Sequence, residues 1–222
     1  MRRKCIAIAL VAAPLTFAPL SASVAQAPAG SAPTSPDGWI IRVDAKDTAQ
    51  KAADTHFVTM GQGFHVTSGP AAIYYGVKDQ ATGAYTVKAS FGQRTKAAMG
   101  HSEAYGVFVG GSMLNDYAKQ QYLYLAVRDD GMYFIAHRAG QDVHKLVDWT
   151  ANDAVKKAND AGAASNEVAI RVTADSVAML VNGAAVKSFA KSEMHGFNTD
   201  GQYGLRVNHG LNVHISNFGI QK

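Results

Sequence analysis

Short stretches in which apolar residues alternate with polar ones, each closed by turn-forming residues, recur along most of this chain and point to an all-β fold. Tyr85, Val87, Ala89 and Phe91 alternate with Thr86, Lys88 and Ser90. Successive side chains of a strand point to opposite faces, so this segment predicts a half-buried strand. Leu123, Leu125 and Val127 alternate with Tyr122, Tyr124 and Arg128 in the same way. Further strands are expected at 39–43, 64–67, 71–77, 105–109, 132–138, 168–173 and 177–181, with a closing pair at 202–208 and 211–220.

Turn chemistry suggests how these strands connect. Asp129-Asp130-Gly131 and Asn208-His209-Gly210 each place a glycine where a three-residue hairpin loop needs positive φ. Asn182-Gly183 is a two-residue turn signal that predicts 177–181 folding back onto 185–189. Thr150 and Asp153 resemble a helix-capping pair that would open a short helix near 154–158. Many short strands with at most one or two short helices mean a sandwich or a barrel.

The N-terminal end reads differently. Arg2, Arg3 and Lys4 precede an apolar run to about Leu20 and then small and polar residues, the order of a secretory signal peptide. Cleavage is expected after Ala25, with Ala27 the other candidate. A membrane anchor fits less well, because the run is short and broken by Pro14 and Pro19. Residues 26–38, rich in Pro, Ala and Ser, are expected to form a flexible linker, which leaves 39–222 as one β-sandwich domain. The location expected for such a chain is periplasmic or secreted.

Cys5 falls within the leader, so the mature chain would carry no thiol, excluding disulfides and cysteine chemistry. The net charge of +4 includes Arg2, Arg3 and Lys4, and removing these three leaves +1. That argues against nucleic acid and anionic membrane as partners, and no stable membrane insertion is expected after leader cleavage.

Several residues recur in a recognisable order. They are Tyr122-Leu123-Tyr124-Leu125-Ala126-Val127, then Asp130-Gly131, Tyr133, Ile135 and Arg138, then Leu146 to Trp149-Thr150. Asn166, Ile170 and Val172 follow, then Val181-Asn182-Gly183, Gly201, Tyr203-Gly204-Leu205 and Asn217-Phe218. Over 104–222 this set resembles the second half of the concanavalin A-like lectin/glucanase jelly rolls, and among them the bacterial domains related to 3-keto-disaccharide hydrolases. The resemblance implies an all-β jelly roll of two antiparallel sheets packed face to face, one concave, with a tendency to bind saccharide on the concave face. A fold of this kind does not itself assign an activity.

Glycoside hydrolysis usually needs two carboxylates flanking the bond. The Glu-x-Asp-x-x-Glu string of the laminarinase-like relatives is absent, and the chain's three glutamates, Glu103, Glu167 and Glu193, are not paired at that spacing. If the chain is an enzyme, the acid/base candidates are His101 and Glu103, which with Tyr105 occupy alternate positions of one strand. The plainer alternative is a solvated strand start, with Tyr105 packed in the core. The eight histidines show no His-x-x-x-His or similar spacing, and no acidic loop suits calcium, so neither metal nor other cofactor is expected. No Gly-x-Ser-x-Gly elbow or phosphate-cradling glycine loop is present either.

Saccharides are held by aromatic faces stacked on sugar C–H patches, with planar polar groups fixing the hydroxyls. Tyr122, Tyr124 and Arg128 fit this description, since alternation turns them away from the core face of Leu123, Leu125 and Val127. A three-residue loop at 129–131 would place Phe134 and Arg138 beside them. A two-residue loop would place Tyr133 and His137 there instead, which makes His137 a further ligand candidate. The alternative is that these tyrosines merely cover the sheet. Arg206, Asn208, Asn212 and His214 form another polar face on the terminal strands, expected to be solvated in the back sheet.

The leading reading is an exported carbohydrate-recognition domain without catalysis. The second is a hydrolase or lyase acting on a modified disaccharide, and the third is an envelope module that binds protein.

Overall fold

The computed structural model describes residues 33–44, 51–98, 100–194 and 196–221. The expected leader and residues 26–32 of the expected linker lie outside the described residues. Within the linker range, Thr34 forms a parallel bridge with His56.

The first eight strands are β1 (Trp39–Val43), β2 (His56–Met60), β3 (Gly63–Thr67), β4 (Ala72–Gly76), β5 (Gln80–Ala81), β6 (Tyr85–Gln93), β7 (Ala104–Ser112) and β8 (Gln121–Arg128). The rest are β9 (Met132–Ala139), β10 (Asp142–Ala151), β11 (Ala164–Val172), β12 (Ser176–Val181), β13 (Ala184–Ala190), β14 (Gly201–Val207) and β15 (Asn212–Gln221). The described residues contain no α-helix and two single 3-10 turns, Ala52–Asp54 and Lys191–Glu193. The larger sheet runs β1-β4-β14-β7-β8-β9-β10, with the short β5 paired to β14. The smaller runs β13-β12-β11-β6-β15-β3-β2. All strand pairings within the two sheets are antiparallel, and the sheets pack as a sandwich.

Alternation explains the packing. Val87, Ala89 and Phe91 of β6, Val107 of β7, Leu123, Leu125 and Val127 of β8 and Ile170 of β11 are all fully buried in the shared core. Tyr105 joins them, its ring stacked 4.9 Å from that of Phe91. It lies in the core and not beside His101 and Glu103.

Two of the three expected hairpins form. Residues 129–131 join β8 to β9 with Val127 opposite Tyr133, the three-residue register, and Gly131 takes φ 92°. Asn182 and Gly183, at φ 50° and 83°, join β12 to β13. The third turn differs. Gly210 has the expected positive φ of 67°, yet β14 lies in the larger sheet and β15 in the smaller, so the chain crosses between sheets there. Tyr203, Leu205, Val207, Leu211, Val213 and Ile215 are all buried in the common core, facing it from opposite sides. The same alternation serves a hairpin and a crossing alike, so the pattern alone does not separate them.

The expected helix at 154–158 is also absent. Its backbone is engaged elsewhere: the side-chain oxygen of Asn166 accepts from Lys156 N at 2.8 Å, and its amide donates to Lys156 O at 3.2 Å. Asn182 donates to Ala154 O at 2.7 Å, and Ala158 N donates to Asp129 O at 2.7 Å. Side-chain amides that compete for backbone groups in this way favour an irregular path over a helix.

Candidate functional site

The face of the larger sheet turned away from the smaller one carries a second buried cluster. Ile73, Tyr75, Phe108, Tyr122, Tyr124 and Phe134 form it, with Trp149 packed against it. The rings make a ladder across four strands, with centroids 5.3 Å apart for Phe108–Tyr122, 5.7 Å for Tyr122–Tyr124, 5.9 Å for Tyr124–Phe134 and 5.0 Å for Phe134–Trp149. Tyr122 and Tyr124 therefore lie on the expected face, but they are not exposed: Tyr122 is 1% and Tyr124 8% accessible. Neighbouring rings and the segment between β7 and β8, which contributes Leu114, pack against one another there. Arg128 sits at the end of the ladder, its guanidinium 4.4 Å from the Trp149 ring centroid and paired with Asp130.

His137 departs from the expectation. It stands opposite Leu123, and antiparallel partners share a face, so it points to the sandwich side. There it lines a cavity of about 510 Å³ with His144 and Phe197. Its ring is 4.6 Å from that of Phe197, and its Nε2 is 2.7 Å from Gln121 Oε1. Burial, and then the neighbouring His144, lower its pKa. The residues beside Tyr122 and Tyr124 are instead Arg138 and Ala136.

Arginines complete the outer face. Arg42 and Arg206 stand across from each other on either side of Ile73, because Ile73 pairs with Arg42 of β1 and with Arg206 of β14. Arg206 is therefore not in a solvated back sheet but 7% accessible near the middle of the larger sheet. Its Nη2 donates to Asp44 Oδ2 at 2.8 Å, and Arg42 Nη1 lies 4.0 Å from Asp44 Oδ1. Arg138 donates from Nη2 to the Tyr117 hydroxyl at 2.9 Å. The Tyr117 ring lies between two guanidiniums, 5.6 Å from Arg42 and 5.4 Å from Arg138. On the other flank of Arg206 comes Gly106 and then Ala126, so small residues floor the sheet beside it.

The electrostatics follow from three guanidiniums around one carboxylate. Burial alone would raise the Asp44 pKa, but the charge and hydrogen bond of Arg206, with Arg138 and Arg42 behind it, hold it below the ordinary carboxylate value. Burial opposes the charged form of Arg206, yet Asp44 and the neighbouring tyrosines raise its pKa overall. The Tyr124 hydroxyl is pushed up to about 12 by burial, against the pull of Arg206. Even so, Arg42 Nε and Nη2 and Arg206 Nε and Nη1 are buried with no hydrogen-bond partner among the described residues.

At the rim of the same sheet, His101 and Glu103 do meet, with Nδ1 2.9 Å from Oε1. A third group that sequence reading did not place there joins them. His209 Nε2 is 3.0 Å from the same Glu103 oxygen.

No family model matches this chain, and no curated protein matches it. Solved structures do. The carbohydrate-binding module CBM66 from Bacillus subtilis aligns over 86% of this chain and 99% of its own, at 9% identity and a TM-score of 0.59. A Bacillus subtilis protein of unknown function with a galectin-like fold aligns over 82% and 88%, at 10% identity and 0.58. The Bacteroides ovatus mixed-linkage glucan GH16 in complex with product aligns over 80% and 92%, at 9% identity and 0.55. At such identities the likeness is one of fold, and the fold is the concanavalin A-like jelly roll.

Proposed function

We propose that this domain binds saccharides carrying acidic groups, uronate carboxylates or sulfates, at the guanidinium cluster on the outer face of the larger sheet. The observation that carries this reading is the set of buried, unpartnered N–H groups on Arg42 and Arg206. A buried donor without an acceptor costs about 1–3 kcal/mol, more when charged, so a ligand that supplies acceptors is selected over one that does not. Planar guanidiniums accept carboxylate or sulfate oxygens in parallel pairs. Tyr124 and Tyr122 form the apolar wall and Arg128 with Trp149 the rim, while His137 lies on the other face and takes no part. The fold neighbours that carry carbohydrate-binding and glucan names favour a sugar over a protein ligand.

Titration of the protein with oligogalacturonate, oligoalginate and heparin oligosaccharides, against neutral gluco- and manno-oligosaccharides, tests this. An acidic oligosaccharide is expected to raise the melting temperature by mass action and the neutral ones to leave it unchanged. Arg42→Ala should weaken binding roughly tenfold or more, as loss of a charge-assisted contact does. Equal binding of neutral sugars, or none by any acidic one, refutes the reading. The second reading, a hydrolase or lyase acting on a modified disaccharide, has the 2.9 Å contact of His101 with Glu103 in its favour. It would show itself as product formed from the bound sugar.

We also propose that the chain is exported. Intact-mass measurement of the protein from a Gram-negative periplasm is expected to show a start near Gln26, and retention of residues 1–20 on the soluble product would contradict it.

A further inference from the structure

We propose that His101, Glu103 and His209 form a site for one divalent transition-metal ion of the zinc class. The three donor groups arrive from two places in the chain. His101 follows Gly100 (φ 75°) in the segment leading into β7, and His209 precedes Gly210 (φ 67°) in the crossing between β14 and β15. Both glycines adopt the left-handed backbone that a side chain disfavours. The two segments are fastened together by Asn208 N donating to Ala104 O at 2.8 Å and Ala98 N donating to Gly210 O at 2.9 Å.

Between them lies Glu103, whose side chain is 5% accessible, with one oxygen 2.9 Å from His101 Nδ1 and 3.0 Å from His209 Nε2. One donor atom from each of the three residues lies within 4.8 Å of the others. Zinc bound tetrahedrally at about 2.0–2.1 Å needs its ligands about 3.3 Å apart; the two histidine nitrogens, 2.9 and 3.0 Å from Glu103 Oε1, stand slightly inside that spacing from the carboxylate, and the ion would take the place of these direct contacts. The imidazole of His101, 58% accessible, is free to move outward to that spacing.

The donor set decides the class of ion. Two imidazole nitrogens and one carboxylate oxygen suit zinc, and calcium or magnesium would instead require a shell of oxygens. Next to His101 a cleft of about 420 Å³ is lined by Asp129, Asp130 and Asp160, with Lys96 opposing. Asp130 is already paired with Arg128, so it is Asp129 and Asp160 that favour a cation there, and the cleft leaves room for water at a further coordination position.

Untagged full-length protein, stripped with chelator and dialysed, would be titrated calorimetrically with zinc chloride, and separately with calcium and magnesium chloride. One zinc per chain is expected, with no heat from the other two. Disturbing residues that merely orient a metal ligand weakens binding roughly 10–100-fold, so His101→Ala and His209→Ala should each weaken it at least that much. His101 is exposed, so its variant should keep the native melt, which separates loss of a ligand from loss of fold. His144→Ala, in the other cavity, should bind zinc as the native chain does. Cobalt(II) substitution adds a direct readout, with visible d–d bands expected from the native chain and lost in both ligand variants. No zinc uptake by the native chain, or unchanged affinity in the His101→Ala and His209→Ala variants, overturns the proposal. Neither result depends on whether the domain binds acidic sugars.

Discussion

Deleting residues 201–222 should abolish cooperative unfolding altogether. The segment contributes β14, third in the order of the larger sheet between β4 and β7, and β15, placed between β6 and β3 in the smaller one. Its loss splits both sheets and strips hydrogen-bond partners from five strands, β4, β5 and β7 in the larger sheet and β3 and β6 in the smaller. It also removes Tyr203, Leu205, Val207, Leu211, Val213 and Ile215 from the core. At about 1.5–3 kcal/mol for each large buried side chain, this is on the order of 10 kcal/mol, comparable with the net stability of a whole domain. Circular dichroism melts of native and truncated chains would show it. A sigmoidal transition from the truncated chain would mean that the sheet order is wrong.

Asp44→Ala is expected to have the largest effect of any single substitution on the outer face, about 3–5 kcal/mol of lost stability, because it leaves the buried Arg206 without its counter-charge. Replacing Asp44 and Arg206 together by Leu and Met should recover part of that loss, since it removes the uncompensated Arg206 charge while Arg42, 4.0 Å from the same carboxylate, still loses its partner. Denaturant titrations of the single and paired variants measure the difference. The same carboxylate has a pH signature. Its pKa in the folded chain lies below the ordinary 3.8, so its contribution is fully present above that value and lost as pH falls through the lower folded value. Asp44→Asn should flatten the stability profile in that acid window. An unaltered profile, or a loss under about 1 kcal/mol in Asp44→Ala, would show that the pair is solvated.

Much of the architecture was legible in the sequence because alternation is a local signal. β1, β6, β8, β9 and β12 lie close to where apolar alternation places them, and the turns at 129–131 and 182–183 have the backbone that their glycines demand. The strand β2 has no such signal. Its His56-Phe57-Val58-Thr59-Met60 has only Phe57 buried, so no apolar face announces it. β10, mostly exposed and shifted in register at two points, likewise carries no alternation that marks it as a strand.

Site residues were harder, because their setting depends on which strands become neighbours. Arg206 has the same local sequence in a back sheet as in the larger sheet, and only β14's place between β4 and β7 buries it beside Asp44. His209 is separated from His101 by more than a hundred residues, and no spacing rule spans that distance. Alternation places Tyr122 and Tyr124 on the face turned away from the core, where they lie, but it reports direction and not exposure. Whether a face is wet depends on what packs over it.

The crossing from β14 to β15 also bears on how the chain acquires its structure. These two strands follow all the others in chain order, yet each occupies an interior position in its sheet. Residues 39–200 can therefore form local hairpins such as β8–β9 and β12–β13 while both sheets remain interrupted, with β4 and β7 unable to join and β3 and β6 held apart. Closure waits for contacts between distant parts of the chain, a topology associated with slow folding over milliseconds to seconds. During that interval the facing edges of four strands stay open to pairing with another molecule. Aggregation during refolding should then depend on how fast the terminal segment docks more than on the stability of the finished sandwich.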